Sequence, residues 1–337
     1  KARLFEMTGG RGGVNAGDVI VAVDGQSVVE LNIDEVLSVL RGEPGTAVTM
    51  TLLRGKTLQF DVQVVRALIE VPTVRSAMMS DGLGYLRIIQ FTPLSAERVE
   101  EALEGFRKAG YRGLIVDLRS NPGGLLSSAI DIGDMFLSRG PVVSTRGRIP
   151  SENHVFYASA RATIVPPDLP VVVLINRGSA SASEILAGAL QDTARATVMG
   201  EKSYGKGSVQ QVKRVGEAGF RLTMSRYYTP LGKNIDKVGI SPDVAVPEPE
   251  LTETQEASLE KLIEGNLIKD FVAANPSPAE PALSAFVREL AAQGIQLDER
   301  YVRRLIRNEI NRTNNDPPVY DLDYDLVLQR AVERLHK

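Results

Sequence analysis

The stretch LPVVVLINRGSASASEILAGALQD, Leu169 to Asp192, decides how the chain is read. Its first part, Leu169–Arg177, is apolar without a break as far as Ile175, the pattern of strands buried on both faces. Its last part, Ser181–Asp192, reads as a helix, and a Gly-containing turn joins the two. A serine at such a junction is exposed, and the helix N–H groups beside it can stabilise negative charge. The same letters also have a plainer meaning. Ser181-x-x-Glu184 is a capping box, and serine is ordinary at a helix N-cap, so from this feature alone the structural reading is the stronger.

Working outward, the strand–turn–helix alternation repeats. GLIVDLR (Gly113–Arg119) is a second buried-type strand running into the turn SNPGG, with an apolar helix following from Leu125 to Leu137. Before it stand a strand, GLGYLRIIQF (Gly82–Phe91), and a helix, SAERVEEALEGFRKAG (Ser95–Gly110), with Ser95 expected as its cap. This alternation predicts an α/β core over 67–250. Residues 1–66 read differently. GDVIVAVDG closes on an Asp24–Gly25 turn, NIDEVLSVLRG is a helix capped by Asn32, and a hairpin turns at Arg54–Gly55. From about Leu251 the composition shifts to Glu, Lys, Leu and Ala, which predicts a helical C-terminal region, 251–337, for packing or dimerisation.

Composition bounds the chemistry. With 39 Lys and Arg against 42 Asp and Glu, no broad basic surface points to nucleic acid. The chain has no cysteine, which removes thiolate nucleophiles, disulfides and cysteine metal sites. Its two histidines, His154 and His336, make neither a histidine-ligated metal nor an imidazole triad an expected feature. No apolar run is long enough to span a membrane.

The motif GEKSYGKGSVQQ (Gly200–Gln211) admits three meanings for Lys206. A phosphate-binding loop needs Ser or Thr after the lysine and then a helix, whereas Gly207 follows here and the next residues read as a hairpin broken at Gly216–Gly219. A penicillin-binding Ser203-x-x-Lys206 needs a helix and a later Lys-Thr-Gly, and the chain holds no Lys-Thr-Gly. The third meaning makes Lys206 a proton carrier for a serine elsewhere in the chain.

At this point several motifs converge. DLRSNPGG, NRGSASASEILAGALQD, GEKSYGKGSVQ and GISPDVAV resemble, in order and spacing, the carboxyl-terminal processing proteases, PDZ-containing serine peptidases with a Ser–Lys dyad. GDVIVAVDGQSV resembles the second half of their PDZ domain, and the resemblance covers roughly residues 14 to 248. It implies an α/β multidomain chain: a partial PDZ domain over 1–66, a ClpP/crotonase-like serine protease core over 67–250, and the helical region beyond.

The resemblance places the nucleophile at Ser181, the general base at Lys206 and a supporting glutamine at Gln210. The chemistry agrees. A lysine with an ordinary pKa near about 10 is protonated at neutral pH, and burial in an apolar pocket would favour its neutral, basic form. Gln210 would orient the amine as Asp orients His in a triad. The oxyanion would be held by the N–H of Ala182 and by one from the pair Gly123 and Gly124, with Gly123 preferred. No metal or cofactor is implied. The implied partners are protein substrates with nonpolar C-terminal tails, a second copy of the chain, and an activating adaptor, with no nucleic acid and no transmembrane segment. An extracytoplasmic location, periplasmic or envelope-associated, is implied with a leader outside this sequence. Between ARLFEMTGG and GDVI there is too little chain for the usual PDZ carboxylate loop, so an incomplete PDZ domain is expected.

Overall fold

The computed structural model describes residues 14, 17–67, 71–215, 218–247, 250–313 and 318–336. The described part of the N-terminal segment holds β1 (Val19–Val23), β2 (Gln26–Ser27), α1 (Ile33–Leu40), β3 (Ala47–Arg54) and β4 (Leu58–Val65). The sheet order is β2-β1-β3-β4, antiparallel throughout. Asp24 and Gly25, at φ 48° and 79°, supply the two left-handed residues that a tight hairpin between β1 and β2 requires. Asn32 caps α1 through both halves of a capping box. Val23, Val28, Val48, Leu52, Val62 and Val64 form the core of this segment. The expected missing carboxylate loop falls on 1–13, 15 and 16, outside the described residues.

The core begins with β5 (Val74–Met78), β6 (Leu83–Ile88), α2 (Ser95–Lys108), β7 (Gly113–Asp117) and α3 (Leu126–Phe136). It continues through β8 (Pro141–Gly147), β9 (His154–Tyr157), β10 (Val171–Ile175), α4 (Ala182–Asp192) and β11 (Thr197–Gly200). Then come β12 (Ser208–Val215), β13 (Ala218–Tyr228) and β14 (Val244–Ala245). Ser95 does not cap α2 as expected. It is the first helical residue, and its hydroxyl accepts from Thr92 N–H and donates to the Gln90 carbonyl, closing the preceding turn. The expected hairpin is β12–β13, and Gly216 in its break lies outside the described residues.

The main sheet runs β14-β11-β10-β7-β6-β5, parallel except for the β5 edge. Its order never reverses along the chain. Crossovers of one hand and one direction put their helices on one face, and α2, α3 and α4 accordingly share a single core with Leu86, Val116, Val173 and Ile175. A second antiparallel sheet, β12-β13-β8-β9, adds Val142, Val143 and Tyr227 to that core.

Beyond the core lie α5 (Glu253–Glu264), α6 (Leu267–Ala274), α7 (Glu280–Ala292), α8 (Glu299–Thr313) and α9 (Leu326–Leu335). Residues 251–337 are not one region, as the sequence suggested. Helices α5–α8 share their own core of Leu262, Val272, Phe286, Leu290 and Ile306. Residues 319–336 instead belong with the peptidase-like unit, where α9 buries Val327, Leu328 and Ala331 on the sheet face opposite α2–α4, against Tyr85, Ile115, Val172, Leu174 and Met199. Burial of the two larger side chains contributes about 1.5–3 kcal/mol each.

Candidate active site

The site grows from the junction of β10 and α4. Ser181 has φ 56° and ψ −114°, a left-handed conformation that non-glycine residues adopt only where their surroundings impose it. The serines on either side are committed. Ser179 donates to the Leu118 carbonyl (2.8 Å) and Ser183 to the Asn121 carbonyl (3.0 Å), and both are fully buried. Ser181 is half-buried, and among the described residues its hydroxyl donates to no acceptor. The tight turn therefore singles out the middle serine of the three.

The SNPGG loop lies directly against it. A Cβ on Gly123 would stand 2.7 Å from Ser181 Cβ and 2.9 Å from the Ala182 nitrogen. Asn121, fully buried, organises the loop: its Oδ1 accepts from Gly123 N–H (2.8 Å), its Nδ2 donates to the Ile88 carbonyl (2.8 Å), and its own carbonyl accepts from Ala180 N–H (3.0 Å). The Gly123 N–H is thus already occupied, which corrects the preference for it as an oxyanion donor. Among the described residues the N–H groups of Gly124 and Ala182 meet no acceptor. Gly124 has φ 148°, and a Cβ there would fall 1.9 Å from the Phe91 carbonyl oxygen, so only glycine fits.

Glu184 joins this turn to the Lys206 loop. Its fully buried carboxylate accepts from Ser181 N–H and Lys206 N–H at Oε2 (2.8 Å each), and from Gly205 N–H and the Ser203 hydroxyl at Oε1 (2.6 Å each). The capping box is real, and the same carboxylate also fixes the backbone at Lys206. Ser203 helps to hold this loop, because its buried hydroxyl also accepts from Ile240 N–H at 2.7 Å. Gly207 permits the close approach of this loop to its neighbour, where a Cβ would meet the Asp236 nitrogen at 2.2 Å. A strand, β12, follows Lys206, and no helix does, so the phosphate-loop and penicillin-binding readings both lack their structural context.

The Lys206 and Gln210 side chains are placed otherwise than expected. Both residues are exposed, and no hydrogen bond joins Lys206 Nζ to Ser181 Oγ or to Gln210 among the described residues. Lys206 is exposed rather than enclosed in the apolar pocket anticipated for it. A register shift in the β12–β13 pairing falls between Val209 and Gln210.

Behind the SNPGG loop is a buried ionic network that sequence reading missed, although it lies in the quoted motif DLRSNPGG. Arg119 donates to Asp117 through Nε (3.0 Å) and Nη2 (2.6 Å), and Tyr85 donates its hydroxyl to Asp117 at 2.7 Å. Burial opposes the charge on Asp117, but Arg119 and Tyr85 outweigh it and hold the carboxyl below its usual range. Burial likewise opposes the Arg119 charge, and Asp117 and Asp325 more than offset it. The signal for Glu184 and Asp117 was a charge placed inside an otherwise apolar, buried segment.

Residues 82–246 match the family model described as peptidase family S41, and residues 8–54 match a PDZ domain. The chain is 40% identical over 313 residues to a carboxy-terminal-processing protease of Bartonella bacilliformis, covering 91% of this chain and 71% of that protein. It is 39% identical over 244 residues to a carboxyl-terminal-processing protease of Synechocystis sp., covering 70% and 56%. The solved photosystem II D1 C-terminal processing protease aligns at 33% identity with a TM-score of 0.48, covering 70% of this chain and 64% of that one. Relative to several other curated relatives the chain spans about half the length, from 47% to 57%. No helix among the described residues is long and apolar enough to cross a membrane. With 40% identity over most of both chains, the protein belongs to peptidase family S41, the serine-type, carboxyl-terminal-processing group.

Proposed function

We propose that the protein is an endopeptidase that binds the C-terminal tail of a protein through its PDZ domain and cleaves near it with Ser181 as nucleophile. The observation that carries this reading is the strained Ser181 turn, with its hydroxyl proton uncommitted and the acceptor-free N–H groups of Gly124 and Ala182 close by. The Lys206 amine takes the Oγ proton as the oxygen attacks the scissile carbonyl carbon. The carbonyl electron pair moves onto oxygen, where the Gly124 and Ala182 N–H groups receive it. Lys206 then protonates the leaving amine as the C–N bond breaks. A water molecule, deprotonated by the same amine, releases the acyl group and restores Ser181. Gln210 orients Lys206 in this scheme.

The exposed Lys206 amine must close on Ser181 for the first step. Catalytic hydrogen bonds often tighten only in the substrate complex, and the backbone ties from Glu184 keep Lys206 anchored beside the nucleophile meanwhile. The exposed amine is the one observation that suits a non-catalytic PDZ scaffold, and the intact Ser181 turn weighs against that reading. A PDZ domain adds an extended tail as a strand and holds its carboxylate in a backbone nest. An extracytoplasmic location, self-association and activation by an adaptor belong to the same proposal.

The test is cleavage of an unstructured protein with a nonpolar tail. Ser181→Ala and Lys206→Ala should each abolish cutting while the fold persists, and a metal chelator should leave the parent rate unchanged. Parent-like cutting by both variants would sink the dyad.

A further inference from the structure

A sheet wound in one direction leaves one face without crossover helices, and that face must be covered from elsewhere in the chain. Here the cover is α9, from the far end of the sequence. The helix is fastened at both ends. At its C-terminal end His336 Nε2 lies 2.9 Å from the Asp81 carboxylate. At its N-terminal end Asp325 caps the helix, accepting from Leu328 N–H at 2.9 Å, and receives the Arg119 guanidinium as a two-pronged fork, Nη1 to Oδ1 at 2.8 Å and Nη2 to Oδ2 at 2.6 Å. Such planar, bidentate pairs fix direction as well as distance.

Arg119 stands immediately before the SNPGG loop. The neighbouring Leu118 carbonyl accepts from both the Ser179 hydroxyl (2.8 Å) and Asn121 N–H (3.2 Å). Asp117 also holds Arg119, but from the same strand two residues earlier, so it relates the guanidinium only to its own segment. Asp325 comes from 206 residues away and relates it to an independent element.

We infer that Asp325 is a positioning residue for the peptidase reaction, fixing through Arg119 the strand end that presents Gly124 to the oxyanion. This inference rests on the reading of Ser181 as nucleophile and of Gly124 and Ala182 as oxyanion donors. The Asp325 carboxylate touches no substrate and moves no proton.

The experiment uses Asp325→Asn and Asp325→Ser in the full chain. Both keep an acceptor for the cap of α9 and remove the charge facing Arg119. Each is measured for kcat and KM on the unstructured substrate, for inhibition by a peptide aldehyde, and for Tm. The aldehyde's tetrahedral adduct needs the oxyanion donors and so reports on them directly. The expected result is a fall in kcat of about 10- to 100-fold with KM within about twofold, and an aldehyde inhibition constant weakened in parallel. Leu328→Ala, which thins the packing of α9 without touching the ion pair, should lower Tm and leave kcat below the transition near the parent value. The inference is overturned if both Asp325 variants keep the parent's kcat and aldehyde affinity per folded molecule, or if Leu328→Ala matches their loss of kcat. Full activity in Ser181→Ala would instead overturn the underlying site, so the two failures are distinguishable.

Discussion

Glu184→Gln is the sharpest test of how the candidate site is held together. The carboxylate takes donors at both oxygens: Ser181 and Lys206 N–H at Oε2, Gly205 N–H and the Ser203 hydroxyl at Oε1. An amide has one oxygen to offer. With its NH2 at the Oε2 position it would oppose two N–H donors. With its NH2 at the Oε1 position it opposes only Gly205 N–H, because the Ser203 hydroxyl, which also accepts from Ile240 N–H, can turn and accept while its own proton gives up the Glu184 acceptor. The second orientation wins, and it strands one buried N–H. Hydrogen bonds to a charged group are worth about 1.5–3 kcal/mol against about 0.5–1.5 for neutral ones, and a stranded buried donor costs about 1–3. Part of this is offset because a full charge no longer has to be buried. A net loss of about 2 kcal/mol follows, or about 4–8 °C in Tm for a unit of this size. The surviving oxygen still holds Ser181 and Lys206, but the Gly205 tie is gone, so kcat should fall at least about tenfold through misplacement of Lys206. Differential scanning calorimetry and steady-state cleavage well below both transitions measure the two effects. Ser203→Ala is the comparator, since it leaves every backbone tie to Glu184 in place and should cost less kcat. A larger kcat loss in Ser203→Ala than in Glu184→Gln, or parent values of both Tm and kcat in Glu184→Gln, would refute the reasoning.

Two other predictions follow from single residues. Gly124→Ala places a Cβ 1.9 Å from the Phe91 carbonyl oxygen, so the backbone must move; kcat should drop about 10²- to 10³-fold, and a variant retaining parent activity would remove Gly124 from the oxyanion role. Burial alone would raise the Asp192 carboxyl, but Lys233, the Thr229 hydroxyl and Leu231 N–H outweigh it and hold it below the usual carboxylate range. A depressed native value makes its stability contribution complete above about pH 4 and lost as pH falls through that value. Asp192→Asn should therefore melt below the parent at neutral pH, with the gap closing in acid; a gap that stays constant from pH 7 to pH 2 would contradict this.

Much of the fold was legible because its signals are local. Val171–Ile175 and Gly113–Asp117 are apolar without alternation since both faces of those strands are covered, and the Asp24–Gly25 turn and the Asn32 cap carry their own backbone chemistry. The motifs around Ser181, Gly124 and Lys206 were legible as a family pattern for the same reason, each being a short segment with a fixed local conformation. Long-range pairing left weaker traces. Glu184 read as a helix cap, and nothing in its neighbours says that its other contacts are Ser203, Gly205 and the nitrogen of Lys206. Gly123 looked the better oxyanion donor of the pair, and only the tertiary structure puts Asn121 Oδ1 on its N–H.

What the sequence by itself determined is therefore the kind of chain this is: an α/β peptidase of the S41 family with a PDZ segment and a serine at a strand-to-helix turn. Those features depend on residues close together along the chain. The tertiary structure alone decided which serine keeps its proton free, where the Lys206 amine stands, and which element closes the sheet. The amphipathic pattern of α9 shows that the helix has an apolar side but not which surface receives it. Only the one-directional winding of the sheet, which leaves a bare apolar face and an arginine at its end, assigns α9 and Asp325 to the peptidase core.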